Sequence, residues 1–274
     1  MPAGAIALAL AAAFAHAIWN LLVAGARDSS AATAVAVWAG LLAFAPVALI
    51  TGGVHTAALP YVAASGALHL VYMALLAASY GRAELSLVYP LSRGSAPVLV
   101  LGAGAAFGTV PSAGQAVGVL VVVAGILMVR GFERPHDIRD LGFVAGVAVC
   151  IAAYTLVDKE GVSHASPIAY LELVLLIAAL IYLPAAAKLS GAAALRAELR
   201  PRILVAGLCM FGAYTLVLAA LTFAAAAPVA AVRETSIVVA TVLAAVFLNE
   251  KVSRARMVGA AVVVAAGVVV LALG

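Results

Sequence analysis

Two arginines lie well inside apolar stretches of the sequence. Arg93 and Arg233 each stand about seven residues inside a predicted helix, roughly 10 Å from its end at the usual rise of an α-helix. Charge is costly in hydrocarbon, so such side chains face the interior of a bundle or a water-filled cavity. A guanidinium group is a planar fork that binds carboxylate or phosphate. We therefore interpret both arginines as ligands for an anionic group, with snorkelling or a purely structural ion pair as the alternative.

Three acidic residues, Glu234, Glu172 and Asp158, stand in or at the end of similar apolar stretches. A carboxyl group in a desolvated cavity takes up a proton more readily, so these residues are candidates for proton coupling. Pairing with Arg93 or Arg233 is the alternative. Because successive helix residues point about 100° apart, we expect that Glu234 and Arg233 do not share one face as a simple pair.

Several aromatic side chains fall away from the interfaces where aromatic belts form. Trp19, Tyr72, Tyr154 and Tyr214 lie inside predicted helices, where they can line a cavity and hold a ligand by stacking and hydroxyl hydrogen bonds. Ordinary helix packing is the competing interpretation. Asn20 places an amide in the first helix, either against a ligand or hydrogen-bonded to a neighbouring helix. These five residues are predicted to bind a ligand.

The remaining reactive side chains indicate neither metal nor catalytic chemistry. His16 and His69 are interpreted as interior polar groups rather than ligands. Cys150 and Cys209 lie in apolar runs, without the spacing of a metal site or a disulfide framework. The sequence contains no nucleotide-binding, hydrolase or metalloprotease motif. We therefore predict no metal, no cofactor and no catalytic residue.

The composition indicates whether these residues belong to a membrane protein or to a water-soluble one. The chain is 67% hydrophobic and 9% charged, with a mean hydropathy of +1.23, whereas a soluble domain is about 45–50% apolar and about 25% charged. A water-soluble chain of 274 residues cannot hide that much apolar surface in one core. The apolar runs are about 20 residues long, which favours membrane helices over barrel strands. Since Lys and Arg stand mostly in short loops, the net charge of +4 indicates topology rather than nucleic-acid binding.

The apolar runs predict an all-α integral membrane protein with ten transmembrane helices and no soluble domain. The predicted helices are 3–24, 31–50, 60–80, 86–107, 112–130, 140–158, 166–188, 202–223, 227–248 and 253–273.

A weak internal repeat relates the two halves of the chain. At a constant offset of 140 residues, Arg93 falls on Arg233. We therefore divide the single membrane domain into two five-helix repeats, residues 1–130 and 131–274. Because five is an odd number, the two copies must be inverted, and inverted repeats enclose a central cavity with a binding site at their interface.

The distribution of basic residues predicts the orientation. Twelve Lys and Arg residues follow the odd-numbered helices, and Lys159 alone follows an even-numbered one. This bias places the odd-numbered loops in the cytoplasm and both termini in the periplasm. The twelve residues are Arg27, Arg82, Arg130, Arg134, Arg139, Lys188, Arg196, Arg200, Arg202, Lys251, Arg254 and Arg256.

The whole chain resembles the drug/metabolite transporter superfamily, in particular its EamA-like branch of ten-helix carriers. The resemblance is carried by four strings in order: HAIWNLL in the first helix, YPLSRGSAP in the fourth, AAYTLVD in the sixth, and VRETSIVVATVLAAVFLNEKVSRARMVGA across the last two.

The resemblance implies a basket of helices around a central cavity that carries amino acids, amines, nucleotide-like compounds or drugs. It places seven residues toward that cavity, namely Trp19, Asn20, Tyr89, Arg93, Tyr154, Arg233 and Glu234. The chain departs from the family at Gly108-Thr109, where relatives often carry an acidic residue. It also departs in its predicted periplasmic termini, which relatives usually have inside.

The sequence thus predicts a secondary transporter of the inner membrane, most consistent with an exporter of a small polar or amphipathic metabolite such as an amino acid or a related carboxylate or amine. Its expected partners are the substrate and the lipid bilayer, with proton coupling as an option, no nucleic acid, and a monomer or weak homodimer. An uptake carrier of the same architecture is the first alternative. An intramembrane lipid-modifying enzyme is the second, although no set of residues suits a nucleophile or a metal.

Overall fold

A computed structural model describes residues 1–80, 85–106, 108–130, 138–247 and 253–274 of the chain. The protein is all-helical, with 88% of its residues in helices and no strand among those described. This agrees with the predicted all-α class.

The described helices follow the apolar runs closely. They are α1 (Ala3–Ala24), α2 (Ser29–Thr51), α3 (Leu59–Tyr80), α4 (Leu85–Ala106), α5 (Ala113–Arg130), α6 (Ile138–Gly161), α7 (Pro167–Ala197), α8 (Pro201–Phe223), α9 (Ala226–Glu234), α10 (Ser236–Phe247) and α11 (Arg254–Leu273), with a 3-10 turn at Thr56–Ala58 before α3.

Seven segments of the described chain are long and apolar enough to cross a membrane. They correspond to α1, α2, α3 with its preceding turn, α6, α7, α8, and α9 together with α10. Two shorter apolar segments, Ala113–Met128 and Met257–Leu273, belong to α5 and α11. The protein is therefore a multi-pass membrane protein, as the composition predicts.

The predicted ninth helix, 227–248, is interrupted. Helix α9 ends at Glu234 and α10 begins at Ser236. At the break, both the backbone N–H and the hydroxyl of Thr235 donate hydrogen bonds to the carbonyl of Val232, at 3.1 and 2.7 Å. A threonine hydroxyl that bonds to a preceding carbonyl competes with regular helix bonding. The predicted helix is therefore divided into two at Thr235, although Ala226–Val246 still forms one segment long enough to cross a membrane.

The predicted seventh helix, 166–188, ends shortly before a kink in α7. Helix α7 continues to Ala197 through Gly191, which has a φ of 84°. Glycine adopts this left-handed region without a steric penalty, so the helix changes direction there and continues. The predicted loop from Leu189 therefore contains a further helical segment.

Glycines allow the backbones of α2 and α8 to approach closely. A Cβ atom built on Gly207 of α8 would lie 2.2 Å from the carbonyl oxygen of Ala36 in α2. A Cβ atom on Gly40 of α2 would lie 3.0 Å from the carbonyl oxygen of Gly207. Membrane helices associate through such small residues, because lipid offers no hydrophobic driving force between them. This contact fixes two walls of the central cavity.

Candidate functional site

A cavity of about 450 Å³ lies in the middle of the helix bundle. Among the described residues, α1, α2, α3, α4, α6, α7, α8 and α9 all contribute to its wall. This volume is within the range of about 300–1,000 Å³ that is typical of small-molecule sites. The cavity is lined by apolar side chains and by polar groups, many of which belong to an ion triad, an aromatic cluster and a polar region on α1.

The first cluster is an ion triad formed by Arg93, Arg233 and Glu234. The Nε and Nη2 atoms of Arg93 donate to the two carboxylate oxygens of Glu234, at 2.7 and 3.3 Å. The same atoms of Arg233 donate to Oε1 of Glu234, at 3.0 and 2.8 Å. The exposed fractions of the residues are 4%, 3% and 0% in the order given. The triad ties α4 to the end of α9.

The pairing of Arg233 with Glu234 contradicts the expectation that they do not share a face. Their Cβ atoms leave the helix in different directions, but both side chains are long, and α9 ends at Glu234. The ends of the two side chains therefore meet, although the residues are consecutive.

The charges of the triad do not balance. Two guanidinium groups share one carboxylate, which leaves one positive charge uncompensated within the triad. Both Arg93 and Arg233 line the cavity, whereas Glu234 lies behind them and is fully buried. The cavity therefore has a cationic wall.

The second cluster consists of aromatic rings. His69 stacks on Tyr154 with ring centroids 4.3 Å apart and meets Tyr214 edge-on at 5.5 Å. Tyr154 also makes edge contacts with Tyr72 and Tyr214, at 6.2 and 5.9 Å. These four residues line the cavity together. Aromatic clusters of this geometry present both ring faces and hydroxyl groups to a ligand.

A buried carboxylate stands behind the aromatic cluster. Asp158 has no exposed surface, and its Oδ1 accepts a hydrogen bond of 2.9 Å from the hydroxyl of Tyr170. Its Oδ2 accepts a short hydrogen bond from the hydroxyl of Tyr214. Because the Tyr214 hydroxyl donates its proton to Asp158, only its lone pairs remain for a ligand. This wall of the cavity is therefore a hydrogen-bond acceptor.

Trp19, His16 and Asn20 form a further polar region on α1. The indole N–H of Trp19 donates to Nδ1 of His16 at 3.0 Å, and the amide of Asn20 donates to the His16 carbonyl at 2.7 Å. All three residues line the cavity. The first helix thus contributes preoriented polar groups.

The structure brings together most of the residues that the sequence predicted. Seven of them line the cavity, namely Trp19, Asn20, Tyr72, Arg93, Tyr154, Tyr214 and Arg233. Glu234 and Asp158 stand behind the wall and hold its members. Glu172 is on α7 away from the lining, and its buried Oε2 has no hydrogen-bond partner in the described part of the chain. The side chain of Tyr89 lies outside the described residues.

Other lining residues were not predicted as ligands. His16 and His69 are hydrogen-bonded interior groups, as interpreted, but they also face the cavity. Tyr182 and the hydroxyl residues at the start of α2, Ser30 and Thr33, also belong to the wall. Tyr182 stands near the end of a predicted helix, where an aromatic belt residue is equally expected.

The cavity is open toward the connection between α1 and α2. Its lining extends to Ala24 and Ser29, and both residues are exposed to solvent. At the opposite end, the α2–α3 connection pairs with the α6–α7 connection. Val54 and Ala165 form an antiparallel bridge, and Ser166 donates its backbone N–H to Gly53 at 3.0 Å. The cavity is thus closed at this second end by backbone hydrogen bonds.

A carboxylate ties together the connections at the open end. Glu198, between α7 and α8, has no exposed surface and accepts hydrogen bonds from the backbone N–H groups of Arg27 and Asp28, at 2.8 and 3.2 Å, and a short one from Arg200. Burial alone would raise the pKa of Glu198, but these hydrogen bonds outweigh it and lower the pKa below its usual range. Asp28 caps α2 through the N–H of Ala31, a bond that lowers the Asp28 pKa.

The described residues contain no group of three or more His, Cys, Asp or Glu side chains that could hold a metal ion. The chemistry that the arrangement offers is binding, with a cationic wall, an acceptor wall and aromatic faces between them.

Comparison with known proteins agrees with this arrangement. The sequence matches the EamA-like transporter family over residues 140–272, whereas no curated protein matches it. A solved crystal structure has the same fold, with a TM-score of 0.79 and 14% identity, covering 100% of this chain and 98% of the other. The family consists of membrane transporters, which supports a transporter rather than an enzyme. The match over residues 140–272 confirms the predicted resemblance to the EamA-like transporter family of the drug/metabolite transporter superfamily.

Proposed function

We propose that this chain is a secondary transporter that exports a small metabolite, an amino acid or a related carboxylate or amine, across the inner membrane by alternating access. The observation that carries the proposal is the cavity of about 450 Å³, open at one end, with Arg93 and Arg233 buried in its wall. Burying a charged guanidinium group inside a membrane protein costs free energy. Such groups are therefore rare, and those that face a water-filled cavity typically mark a substrate pathway.

The two walls of the cavity favour a zwitterion. The cationic wall, Arg93 and Arg233, suits a carboxylate, and the Tyr214 hydroxyl, backed by Asp158, accepts a hydrogen bond from an amine. Tyr154 lies between them and interacts electrostatically with both arginines and with Asp158. We propose these residues, with Trp19, Asn20, Tyr72 and the undescribed side chain of Tyr89, as the substrate-binding set.

Two inverted repeats are supported by the pattern of helix contacts. If residues 1–130 are exchanged with residues 131–274, each helix takes the place of its counterpart in the other half. The contact between α1 and α8 then corresponds to the contact between α6 and α3. The contact between α2 and α8 corresponds to the contact between α7 and α3. All four contacts are present. The same exchange maps the α2–α7 and α5–α11 pairs onto themselves, and both of these pairs are also in contact. We therefore propose ten membrane-spanning units, with α9 and α10 counted as one.

Alternating access is supported by the unlike ends of the cavity. One end is open at Ala24 and Ser29, and the other is closed by the Val54–Ala165 bridge. The open end lies on the side of the basic loops, which the charge bias places in the cytoplasm. A cavity that loads from the cytoplasm suits export, and uptake by the same architecture is the alternative. A reporter fused at Gly274 should be active on the periplasmic side, and activity in the cytoplasm would contradict this orientation.

Among the acidic candidates for proton coupling, Glu172 is favoured. Glu234 is compensated by two arginines, and Asp158 accepts two tyrosine hydrogen bonds. Glu172 has a buried oxygen without a partner in the described chain, and an unpartnered ionised carboxylate in a membrane is costly. We propose that it binds a proton. We also propose that the transporting unit is a monomer or a weak homodimer.

Counterflow in proteoliposomes tests the proposal. Vesicles loaded with an unlabelled amino acid should accumulate the labelled one, and the deaminated acid and the decarboxylated amine are then added as competitors. We expect the zwitterion to compete best and the amine to lose about tenfold or more in affinity, because it lacks the carboxylate that would bind the arginines. Competition by the amine equal to that of the zwitterion would contradict the role of the arginines. Product formation without counterflow would favour an enzyme.

A further inference from the structure

The imidazole ring of His69 lines the cavity beside the ring of Tyr214, but His69 is not part of the proposed substrate-binding set. We propose that His69 is a specificity-determining residue that, together with Tyr214, selects a substrate whose amine carries N–H groups. The inference rests on the proposed function, since it concerns the amine end of the same substrate.

The backbone of α3 fixes one ring nitrogen of His69. Its Nδ1 atom lies 2.9 Å from the carbonyl oxygen of Ser65, one turn earlier in the helix. A carbonyl oxygen only accepts hydrogen bonds, so Nδ1 carries a proton and donates it there. The hydroxyl oxygen of Ser65 lies 3.3 Å from the same nitrogen and is a second acceptor for this proton. The orientation of the ring is therefore set by α3 itself.

The other ring nitrogen of His69 is left for a ligand. The two nitrogens of an imidazole ring point in roughly opposite directions, so Nε2 points away from the α3 backbone. The described residues give this nitrogen no hydrogen-bond partner, and the residue lines the cavity. Nε2 is thus the polar atom that His69 offers to a bound molecule.

Nε2 of His69 offers a lone pair rather than a proton. A second proton would make the ring a cation inside a membrane protein, where charge is costly. It would also find no acceptor on nearby Asp158, whose two oxygens already accept hydrogen bonds from the hydroxyls of Tyr170 and Tyr214. The neutral ring, with its proton on Nδ1, therefore has an acceptor at Nε2.

Two acceptors consequently lie on neighbouring rings. The rings of His69 and Tyr214 meet edge-on, with centroids 5.5 Å apart. Since the Tyr214 hydroxyl donates its proton to Asp158, it also presents only lone pairs to the cavity. An ammonium group with several N–H bonds can donate to both rings at once. A carboxylate finds no donor on either of them.

Lone pairs and aromatic faces select different kinds of amine. Tyr154 stacks on His69 with ring centroids 4.3 Å apart, and aromatic faces attract any cation, including a quaternary ammonium group. A lone pair is satisfied only by a donor, and a ligand that leaves a buried acceptor unpaired is disfavoured. The two acceptors therefore favour a primary or secondary amine over a quaternary one.

Ligand-dependent melting of the full chain in detergent tests the proposal. The probes are leucine, its deaminated acid isocaproate, and leucine trimethylated at its nitrogen, which keeps the positive charge but has no N–H group. The dissociation constant of each is obtained from the rise of Tm with its concentration. The variant is His69→Phe, which keeps a ring against Tyr154 and removes both nitrogens.

The matched control is His164→Phe. His164 also stacks on a tyrosine, Tyr61, with ring centroids 5.8 Å apart, but neither residue belongs to the described lining of the cavity. The control therefore replaces a stacked histidine by the same residue at a distance from the site.

We expect wild type to bind leucine about a hundredfold more tightly than either analogue, because a hydrogen bond from a charged group to each acceptor contributes about tenfold or more. In His69→Phe, both preferences should fall by about tenfold, since one acceptor is lost. His164→Phe should keep the wild-type preferences.

Equal preferences of wild type and His69→Phe would overturn the proposal, because the imidazole would then contribute packing alone. A wild type that binds leucine no more tightly than its two analogues would overturn it as well. If His69→Phe does not fold, His69→Met replaces it, with a side chain that is similarly large and lacks a strong acceptor. Binding in detergent does not require transport, so counterflow of the wild type in proteoliposomes shows separately whether the transporter proposal stands.

Discussion

The connections at the two ends of the cavity, which correspond under the proposed internal repeat, are held together by different chemistry. At the closed end, the α2–α3 connection of the first proposed half holds the α6–α7 connection through backbone hydrogen bonds and the Val54–Ala165 bridge. At the open end, the α7–α8 connection of the second half holds the α1–α2 connection through the carboxylate of Glu198. One contact is independent of pH and the other contains a titratable group.

The same contrast recurs in the centre of the bundle. Under the proposed internal repeat, Arg93 of α4 corresponds to Arg233 of α9, but the next residue is Gly94 in one half and Glu234 in the other. An internal repeat of the fold therefore does not require the same functional residues in both halves. Each difference between the halves is a place where the protein departs from symmetry, and each can be tested by changing one member of the pair.

The largest effect is expected from Glu234→Ala, with Gly94→Ala as its counterpart. Removing the carboxylate leaves two buried guanidinium groups uncompensated, which should lower the free energy of unfolding by about 3–5 kcal/mol. A Cβ on Gly94 meets only side chains, the nearest being that of Leu127 at 3.4 Å, so that variant should change stability by less than about 1 kcal/mol. Denaturant unfolding in detergent measures both. Equal stability losses would contradict the central role of Glu234.

A second comparison concerns helix packing. A Cβ atom added to Gly207 of α8 would lie 2.2 Å from the Ala36 carbonyl oxygen, whereas one added to Gly66 of α3 would lie 3.0 Å from the Cβ atom of Ile177 in α7. We expect Gly207→Ala to cost about 1–3 kcal/mol or more and Gly66→Ala to cost less, because a side chain yields more readily than a backbone. Thermal unfolding of the two variants measures both losses of stability. A larger loss for Gly66→Ala would mean that α3 and α7 are the tighter pair.

The smallest effect is expected at acidic pH. A carboxylate whose folded pKa lies below its unfolded value stabilises the folded state at a pH above the unfolded value. That contribution is lost as the pH falls through the folded pKa. Glu198 has such a lowered pKa, so wild type should lose stability below the ordinary titration range of glutamate.

In Glu198→Gln, the part of the acid-induced loss of stability that comes from protonation of Glu198 should disappear, because the amide does not titrate. Melting temperatures of the two proteins measured from neutral to acidic pH provide the test. A change at the closed end, where the bridge is made by backbone groups, should leave the acid profile unaltered. Identical acid profiles of wild type and Glu198→Gln would show that Glu198 does not govern this pH dependence.

How well a feature of the site could be predicted from the sequence depends on how far apart its interacting residues lie along the chain. Arg93 and Arg233 were visible because a charge inside an apolar run stands out in the sequence alone. The partners of Asp158 were not visible, since Tyr170 and Tyr214 lie 12 and 56 residues further along the chain. Only packing of three helices brings them to one carboxylate.

Helix boundaries were predictable where Gly, Pro or charge marked them. The break at Thr235 was not predicted, because the charged residues before it, Arg233 and Glu234, were interpreted as interior groups of one helix. Threonine interrupts a membrane helix only when its hydroxyl bonds backward. The pairing of Glu234 with Arg233 was not expected from their helix positions, but their long side chains meet although the Cβ atoms point in different directions.

The central claim is that Arg93 and Arg233 bind the anionic end of a transported metabolite. Its most direct test is counterflow with Arg233→Ala and Arg93→Ala, beside Arg196→Ala as an exposed control, with each variant shown to be folded by its melting profile. We predict that both cavity variants lose counterflow by about a hundredfold while the control transports normally, since a charge-assisted pair contributes about 1.5–3 kcal/mol. Folded cavity variants that transport at the wild-type rate would contradict the claim.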